Sequence, residues 1–155
     1  MTRRDAMIAI AAAMASGPLV GCSSGLPELL FDRDTCDFCR MTISDRRFGA
    51  AAKTAGGRIA RFDSIECLAA WASKEAEPPR AMWIVDAMQP GTLLPFGDVR
   101  IHRAAVGRSP MGKGYVAVGA SHRTTPWDGP VVSWDSVRAA IGREGVRPAD
   151  GPGVY

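Results

Sequence analysis

Two stretches of the chain carry the same order of apolar and polar positions. In the first, an Ala-rich run from Phe48 to Ala55 meets Gly56-Gly57, a second run covers Arg58 to Phe62, and Asp63-Ser64-Ile65-Glu66 opens an apolar segment that continues to about Ala76. Two short runs joined by Gly-Gly predict a β-hairpin, and Asp63 with Glu66 three residues on is a capping-box pattern that predicts Asp63 as a helix N-cap. Ile65, Leu68, Ala69, Ala72 and Ala76 form the apolar stripe of that helix, with Cys67 one position off it. In the second stretch, Gly114 to Ala120 reads as a strand, a longer loop passes Pro126 and Gly129, Val131 to Trp134 reads as a strand, and Asp135-Ser136-Val137 opens a helix through Ile141. Phe62-Asp63-Ser64-Ile65 and Trp134-Asp135-Ser136-Val137 match position by position: aromatic, Asp, Ser, β-branched. This match predicts a duplicated ββα unit packed about a pseudo-twofold axis. Met41 lies 23 residues before Ser64 and Met111 lies 25 before Ser136, so each half opens on a methionine. Further strands are expected over Ala81 to Asp86 and Val99 to Ala105, on either side of a Pro90-Gly91 turn. The expected fold is α+β.

Composition narrows the class without choosing a function. With 46% hydrophobic and 23% charged residues in 155, the chain has the balance of one globular domain, which excludes a fibrous or largely disordered protein. Its 19 Lys and Arg against 16 Asp and Glu are scattered, so there is no electrostatic case for binding nucleic acid.

The N-terminus reads as an address. Arg3 and Arg4 precede an apolar stretch from Ala6 to Ala15, and Leu19-Val20-Gly21-Cys22 resembles the lipobox of bacterial lipoproteins, in which the Cys is lipidated and becomes the mature N-terminus. Residues 1–21 are thus expected to be a signal peptide, 22–34 a lipidated tether, 35–146 a single domain with halves at about 35–86 and 99–146, and 147–155 a disordered tail. Ser23 after Cys22 resembles the outer-membrane sorting pattern, so the expected location is periplasmic and lipid-anchored. Export leaves Cys36, Cys39 and Cys67 in an oxidising compartment, an odd number that cannot all pair internally.

The strongest chemical signal is Cys36-Asp37-Phe38-Cys39-Arg40-Met41, a C-x-x-C-x-M run just before the first strand. Two thiolates and a thioether from one loop make a soft donor set, which favours Cu(I) over zinc, magnesium or iron(II). In Ser109-Pro110-Met111-Gly112, Pro and Gly force a turn that is expected to present Met111 from a loop instead of burying it. Other readings stay open. A C-x-x-C pair in an exported protein also serves as a disulfide or a thiol-disulfide redox pair, although a redox pair expects a helix starting between its cysteines. Structural zinc would need Cys67, His102 or His122 to complete four ligands. Cys67 reads as core packing first and as a ligand second, while His102 and His122 read as ordinary hydrogen-bonded residues. Trp71, Trp83, Trp127 and Trp134 read as core and rim packing. No acid-base pair, nucleophile elbow or phosphate loop is visible, so the chain does not read as an enzyme.

Taken in order, the lipobox Cys22, the C-x-x-C-x-M run with Phe38 before its second Cys, Arg61-Phe62-Asp63-Ser64, Trp83-Ile84-Val85-Asp86, Ser109-Pro110-Met111-Gly112 and Ser133-Trp134 resemble the NosL family of nitrous oxide reductase accessory lipoproteins. The resemblance runs from Cys22 to about Ile141. It implies a periplasmic Cu(I) chaperone that serves the copper-sulfide centre of nitrous oxide reductase together with an ABC-type membrane assembly complex. It also implies two related ββαβ halves, similar to part of the organomercurial lyases, without implying their chemistry. Carried over by motif, the copper-associated residues are Cys36, Cys39, Met41 and Met111. Arg40 departs from the pattern, which commonly has Gly there; a cation at that position is expected to lower the pKa of the neighbouring thiols.

Overall fold

The computed structural model describes residues 25–105, 109–127 and 129–146. The expected signal peptide, the lipidated Cys22 and the tail at 147–155 lie outside them. Leu29 and Phe31, in the stretch read as tether, are already buried in the core.

The described chain is mixed α+β, with two antiparallel sheets and two helices. The hairpin expected at Gly56-Gly57 forms from β1 (Ala50–Lys53) and β2 (Ile59–Phe62), with Ala52 opposite Ala60. Strands β3 (Ala81–Val85) and β4 (Leu93–Pro95) complete a four-stranded sheet in the order β2-β1-β3-β4. β4 was not expected from the sequence. It is three residues long and ends in Pro95, which has no N–H for a ladder, and it sits at the sheet edge where that is tolerated. Ala50, Ala51 and Ala52 on the central strand β1 are all fully buried, so the alternation of a half-exposed strand is absent there.

The second sheet has the order β6-β5-β7, from β5 (Val99–Arg103), β6 (Tyr115–Gly119) and β7 (Val131–Val132). A turn of 3-10 helix over Phe96–Asp98 leads from β4 into β5. The sheets are joined where Ala87 N–H, just past β3, donates to the Ala117 carbonyl of β6 at 2.9 Å, and Ala120 N–H donates to the Asp98 carbonyl at 2.7 Å to extend the β5–β6 ladder by one rung.

Helix α1 (Ile65–Ala72) is shorter than the apolar run suggested. Ser73 donates both its N–H and its Oγ–H to the Ala69 carbonyl, which ends the helix before Ala76, and Pro78-Pro79 follow. Its N-cap is Ser64, not Asp63: Ser64 is extended, and its Oγ accepts from the Cys67 N–H at 3.3 Å. The expected capping box does not form, because the Glu66 carboxyl turns away to Ser109. Helix α2 (Trp134–Glu144) is capped by Ser133, whose Oγ accepts from the Ser136 N–H at 3.2 Å, and ends at Gly145 in a left-handed conformation.

These caps do not fall where the repeated residue pattern expected them. The N-cap serines are Ser64 and Ser133, whereas the residue match paired Ser64 with Ser136, three positions later. The hairpin is not repeated either. β1 pairs with β2, but β6 and β7 both pair with β5, because a loop of some ten residues replaces the Gly-Gly turn and leaves β7 only two residues to bond.

Candidate metal centre

Cys36 opens a tight loop. Its N–H donates to the Met41 carbonyl at 2.8 Å, the Arg40 N–H returns to the Cys36 carbonyl at 3.1 Å, and an isolated bridge joins Thr35 to Thr42. Asp37 clamps the loop to the outer edge of β2: its N–H donates to the Arg61 carbonyl, and its carboxylate accepts from the Arg61 N–H at 2.7 Å and from Arg58 at 3.1 Å. Polar residues between the cysteines thus fasten the loop to the sheet, while the sulfurs turn inward.

Turning inward brings them to the first turn of α1. The sulfurs of Cys36, Cys39 and Cys67 all lie within 4.8 Å of one another, the one such grouping of Cys, His, Asp and Glu among the described residues. All three are free thiols. Three sulfurs about one ion at the usual metal–sulfur distance of about 2.3 Å stand about 4 Å apart, so the trio is close to a ligating arrangement. Cys36 and Cys67 have no solvent exposure, whereas Cys39 is half-buried and forms the solvent side of the cluster; Met41, also half-buried, packs against the core from the same loop.

Of the three thiols, Cys36 is the one whose ionised form the surroundings favour. S–H donation from Cys39 and then from Cys67, with backbone N–H groups of Asp63 and Cys39 also directed at its sulfur, pulls the Cys36 thiol down to about 2 against the opposing effect of burial. The donors move the other way: Cys39 is pushed up to about 11, chiefly because it hydrogen-bonds the Cys36 sulfur, and Cys67 is pushed up by both neighbours and by burial. Amides aimed at cysteine sulfur are the setting a bound thiolate needs. The agents are sulfur and backbone donors, not the cation expected to act: Arg40 is exposed. What Arg40 does show is a φ of 67°, a left-handed conformation that favours Gly.

Two acids that sequence reasoning assigned only to helix capping flank the thiols. Asp63 is 3% exposed; burial first, then the charges of Cys36, Glu66 and Asp45, push its carboxyl up to about 7. Glu66 is fully buried, and desolvation raises its pKa. Its Oε1 accepts from the Ser109 hydroxyl and from the Tyr115 N–H at 3.5 Å, while Oε2 has no partner.

The turn at Ser109-Pro110-Met111-Gly112 forms as expected, closed by Gly112 N–H to the Ser109 carbonyl at 2.8 Å, with Gly112 left-handed. Its methionine is not presented to solvent. Met111 is 3% exposed and is part of the same hydrophobic core that holds Cys36 and Cys67, while the Ser109–Glu66 contact fastens the turn to α1.

Neither histidine joins the thiols. His102 lies buried on β5 with Nδ1 3.4 Å from the Gly129 carbonyl, and His122 Nε2 is 2.8 Å from the fully buried Asp86 carboxylate. Cys67, expected as core packing first and as a ligand second, is fully buried in the core and also stands with Cys36 and Cys39. Apolar periodicity measures one helix face, but α1 packs against the first sheet, β6 and α2, so residues off the stripe are buried as well. A thiol beside a carboxylic acid, Glu66-Cys67, in the first turn of an otherwise apolar helix was the available signal. Comparison of the chain with protein-family models, with curated proteins and with solved structures gives no match, so the site is read from its own geometry.

Proposed function

We propose that the protein is a membrane-anchored periplasmic Cu(I) metallochaperone. The observation that carries this reading is the convergence of three free cysteine sulfurs from a loop and a helix within 4.8 Å, with S–H donation from two of them lowering the pKa of the third. A thiolate-rich set suits a soft monovalent ion. Cu(I) is the cargo, held by Cys36, Cys39 and Cys67 with the thioethers of Met41 and Met111 as neutral, weaker donors. Cys39 stands on the solvent side, where an incoming ligand can displace one sulfur at a time. The lipid anchor at Cys22 keeps the donor at a membrane surface and raises its effective concentration there. The client is inferred from the resemblance to NosL: the copper-sulfide centre of nitrous oxide reductase, matured with an ABC-type complex. From the same resemblance come the two ββαβ-related halves about a pseudo-twofold and the similarity to part of the organomercurial lyase fold.

The test is competition for Cu(I). The full chain, reduced and held anaerobically in detergent, is titrated against a chromophoric Cu(I) chelator alongside Cys36→Ser/Cys39→Ser and Cys67→Ser. Tight binding by the wild type, abolished in the double variant and weakened at least about tenfold in Cys67→Ser, supports the reading; no competition by the wild type removes it. Transfer to copper-free nitrous oxide reductase then tests the client.

A second reading has its own observation. A depressed Cys36 thiol beside a raised Cys39 thiol is the pairing of a thiol-disulfide oxidoreductase. Against it, Cys36 has no solvent exposure for attack on a substrate disulfide, and no helix begins between the two cysteines. Turnover of a dithiol substrate that is lost in Cys36→Ser would favour this reading.

A further inference from the structure

Glu66 does something that neither packing nor capping explains. It is fully buried in the first turn of an apolar helix, next to Cys67, and one carboxyl oxygen has no hydrogen-bond partner. Leaving such an atom unpaired is destabilising, and an apolar residue of similar size would avoid that. Stability alone therefore does not account for a carboxyl at this position.

Its other oxygen shows what does. Glu66 Oε1 accepts from the Ser109 hydroxyl, and Ser109 Oγ in turn accepts from the Gly114 N–H at 2.8 Å. Tyr115 N–H, the first of β6, approaches the same carboxyl oxygen at 3.5 Å. Both ends of the segment that carries Met111 are therefore tied to a single side chain on the helix that carries Cys67. The turn has little slack: Gly112 and Gly114 are both left-handed, and a Cβ on Gly114 would lie 2.7 Å from the Ala104 carbonyl oxygen. Without the tie, nothing else in the hydrogen-bond pattern of the described residues joins residues 109–114 to α1.

We propose that Glu66 is a positioning residue that seats the Met111 thioether at the thiol cluster, acting through Ser109 on the 109–114 turn. It touches no cargo itself. Because thioether donors serve Cu(I) and not zinc(II), whose donors are thiolate, imidazole and carboxylate, the tie governs which ion the trio prefers. This rests on the Cu(I) reading above.

The experiment compares Cu(I) and zinc(II) affinities of the reduced full chain with those of Glu66→Ala, Ser109→Ala, Glu66→Gln, Met111→Leu and Glu66→Ala/Met111→Leu. Loss of a supporting hydrogen bond behind a metal ligand costs about 10–100-fold in affinity. Glu66→Ala and Ser109→Ala are expected to lose about tenfold or more for Cu(I) with zinc(II) affinity within about twofold, and Glu66→Gln, whose amide oxygen still accepts from Ser109, recovers most of the Cu(I) loss. In the double variant the Glu66 change adds nothing to Met111→Leu, the non-additivity of residues acting as a unit. Should Glu66→Ala fail to fold, Ser109→Ala carries the comparison, since it leaves the carboxyl in place. Wild-type Cu(I) affinity in folded Ser109→Ala, equal losses for both ions, or multiplying effects in the double variant would overturn the proposal while leaving the Cu(I) reading intact. Failure of the wild type to bind Cu(I) would remove both.

Discussion

Asp63 and Cys36 are buried neighbours that compete for the right to be charged: burial first, and then the charge of Cys36, raises the proton affinity of the Asp63 carboxyl, while the Asp63 backbone N–H steadies the same sulfur. One residue thus opposes the thiolate with its side chain and supports it with its main chain. The consequence is a measurable pH dependence. Asp63 moves from 3.8 to about 7 on folding, so between these values the folded state binds more protons than the unfolded state, and this group's contribution to stability falls as pH rises. Urea unfolding from pH 4 to 7 should show the wild type losing stability relative to Asp63→Asn as pH rises, by on the order of 4 kcal/mol across the window. A difference that stays flat with pH would mean that Asp63 is charged in the folded protein throughout.

Thiolate absorbance offers a second check. With Cys36 held near 2, the reduced protein should show one thiolate per chain already at about pH 4, where an ordinary thiol near 8.5 is protonated. Cys36→Ser should abolish that signal, and Cys39→Ala or Cys67→Ala should move its onset upward by removing a donor. An onset near the ordinary value in the wild type would contradict the shared-charge arrangement.

Arg40 supplies a prediction about backbone rather than charge. A side chain held left-handed costs about 1–2 kcal/mol, part of which Gly returns as chain entropy. Arg40→Gly should therefore raise the unfolding free energy by about 0.5–1 kcal/mol, read from the urea midpoint, and leave the thiolate onset unchanged because Arg40 is exposed. A shift in that onset would restore the electrostatic role first expected of this residue.

Gly119 guards the join between the sheets. A Cβ there would lie 2.8 Å from Asp86 Oδ2, 3.0 Å from Leu94 Cδ1 and 3.3 Å from His122 Cδ2, in the middle of the Asp86–His122 pair. Gly119→Ala should cost about 1–3 kcal/mol in unfolding free energy, as overpacked sites do. An unfolding curve that superposes on the wild type would mean the join relaxes freely.

Local signals were the ones legible in the sequence. The Gly56-Gly57 hairpin, the strands near Ala81 and Val99 and the Pro110-Met111-Gly112 turn each depend on a few adjacent residues and stand close to where they were expected. Features that needed a partner from elsewhere were misread or missed. Asp63 looked like a cap because Glu66 follows three residues later, yet Glu66 is taken by Ser109, 43 positions away. β7 looked like half of a hairpin with β6, but the intervening loop hands it to β5. Cys67 fell off the apolar stripe, and only the packing of α1 on several sides explains its burial beside the C-x-x-C loop.

That division has a bearing on order in time. Cys36 and Cys39 come as a pair in any conformation of the chain, but Cys67 reaches them only when α1 has docked, 28 positions along from Cys39. An ion that requires all three sulfurs binds the finished fold and not the extended chain, so it stabilises that fold by mass action. A chain threading through a membrane unfolded would arrive empty and load on the far side, and one that later unravels would surrender its ion. An ion held by all three sulfurs would thereby certify that the chain around it is folded.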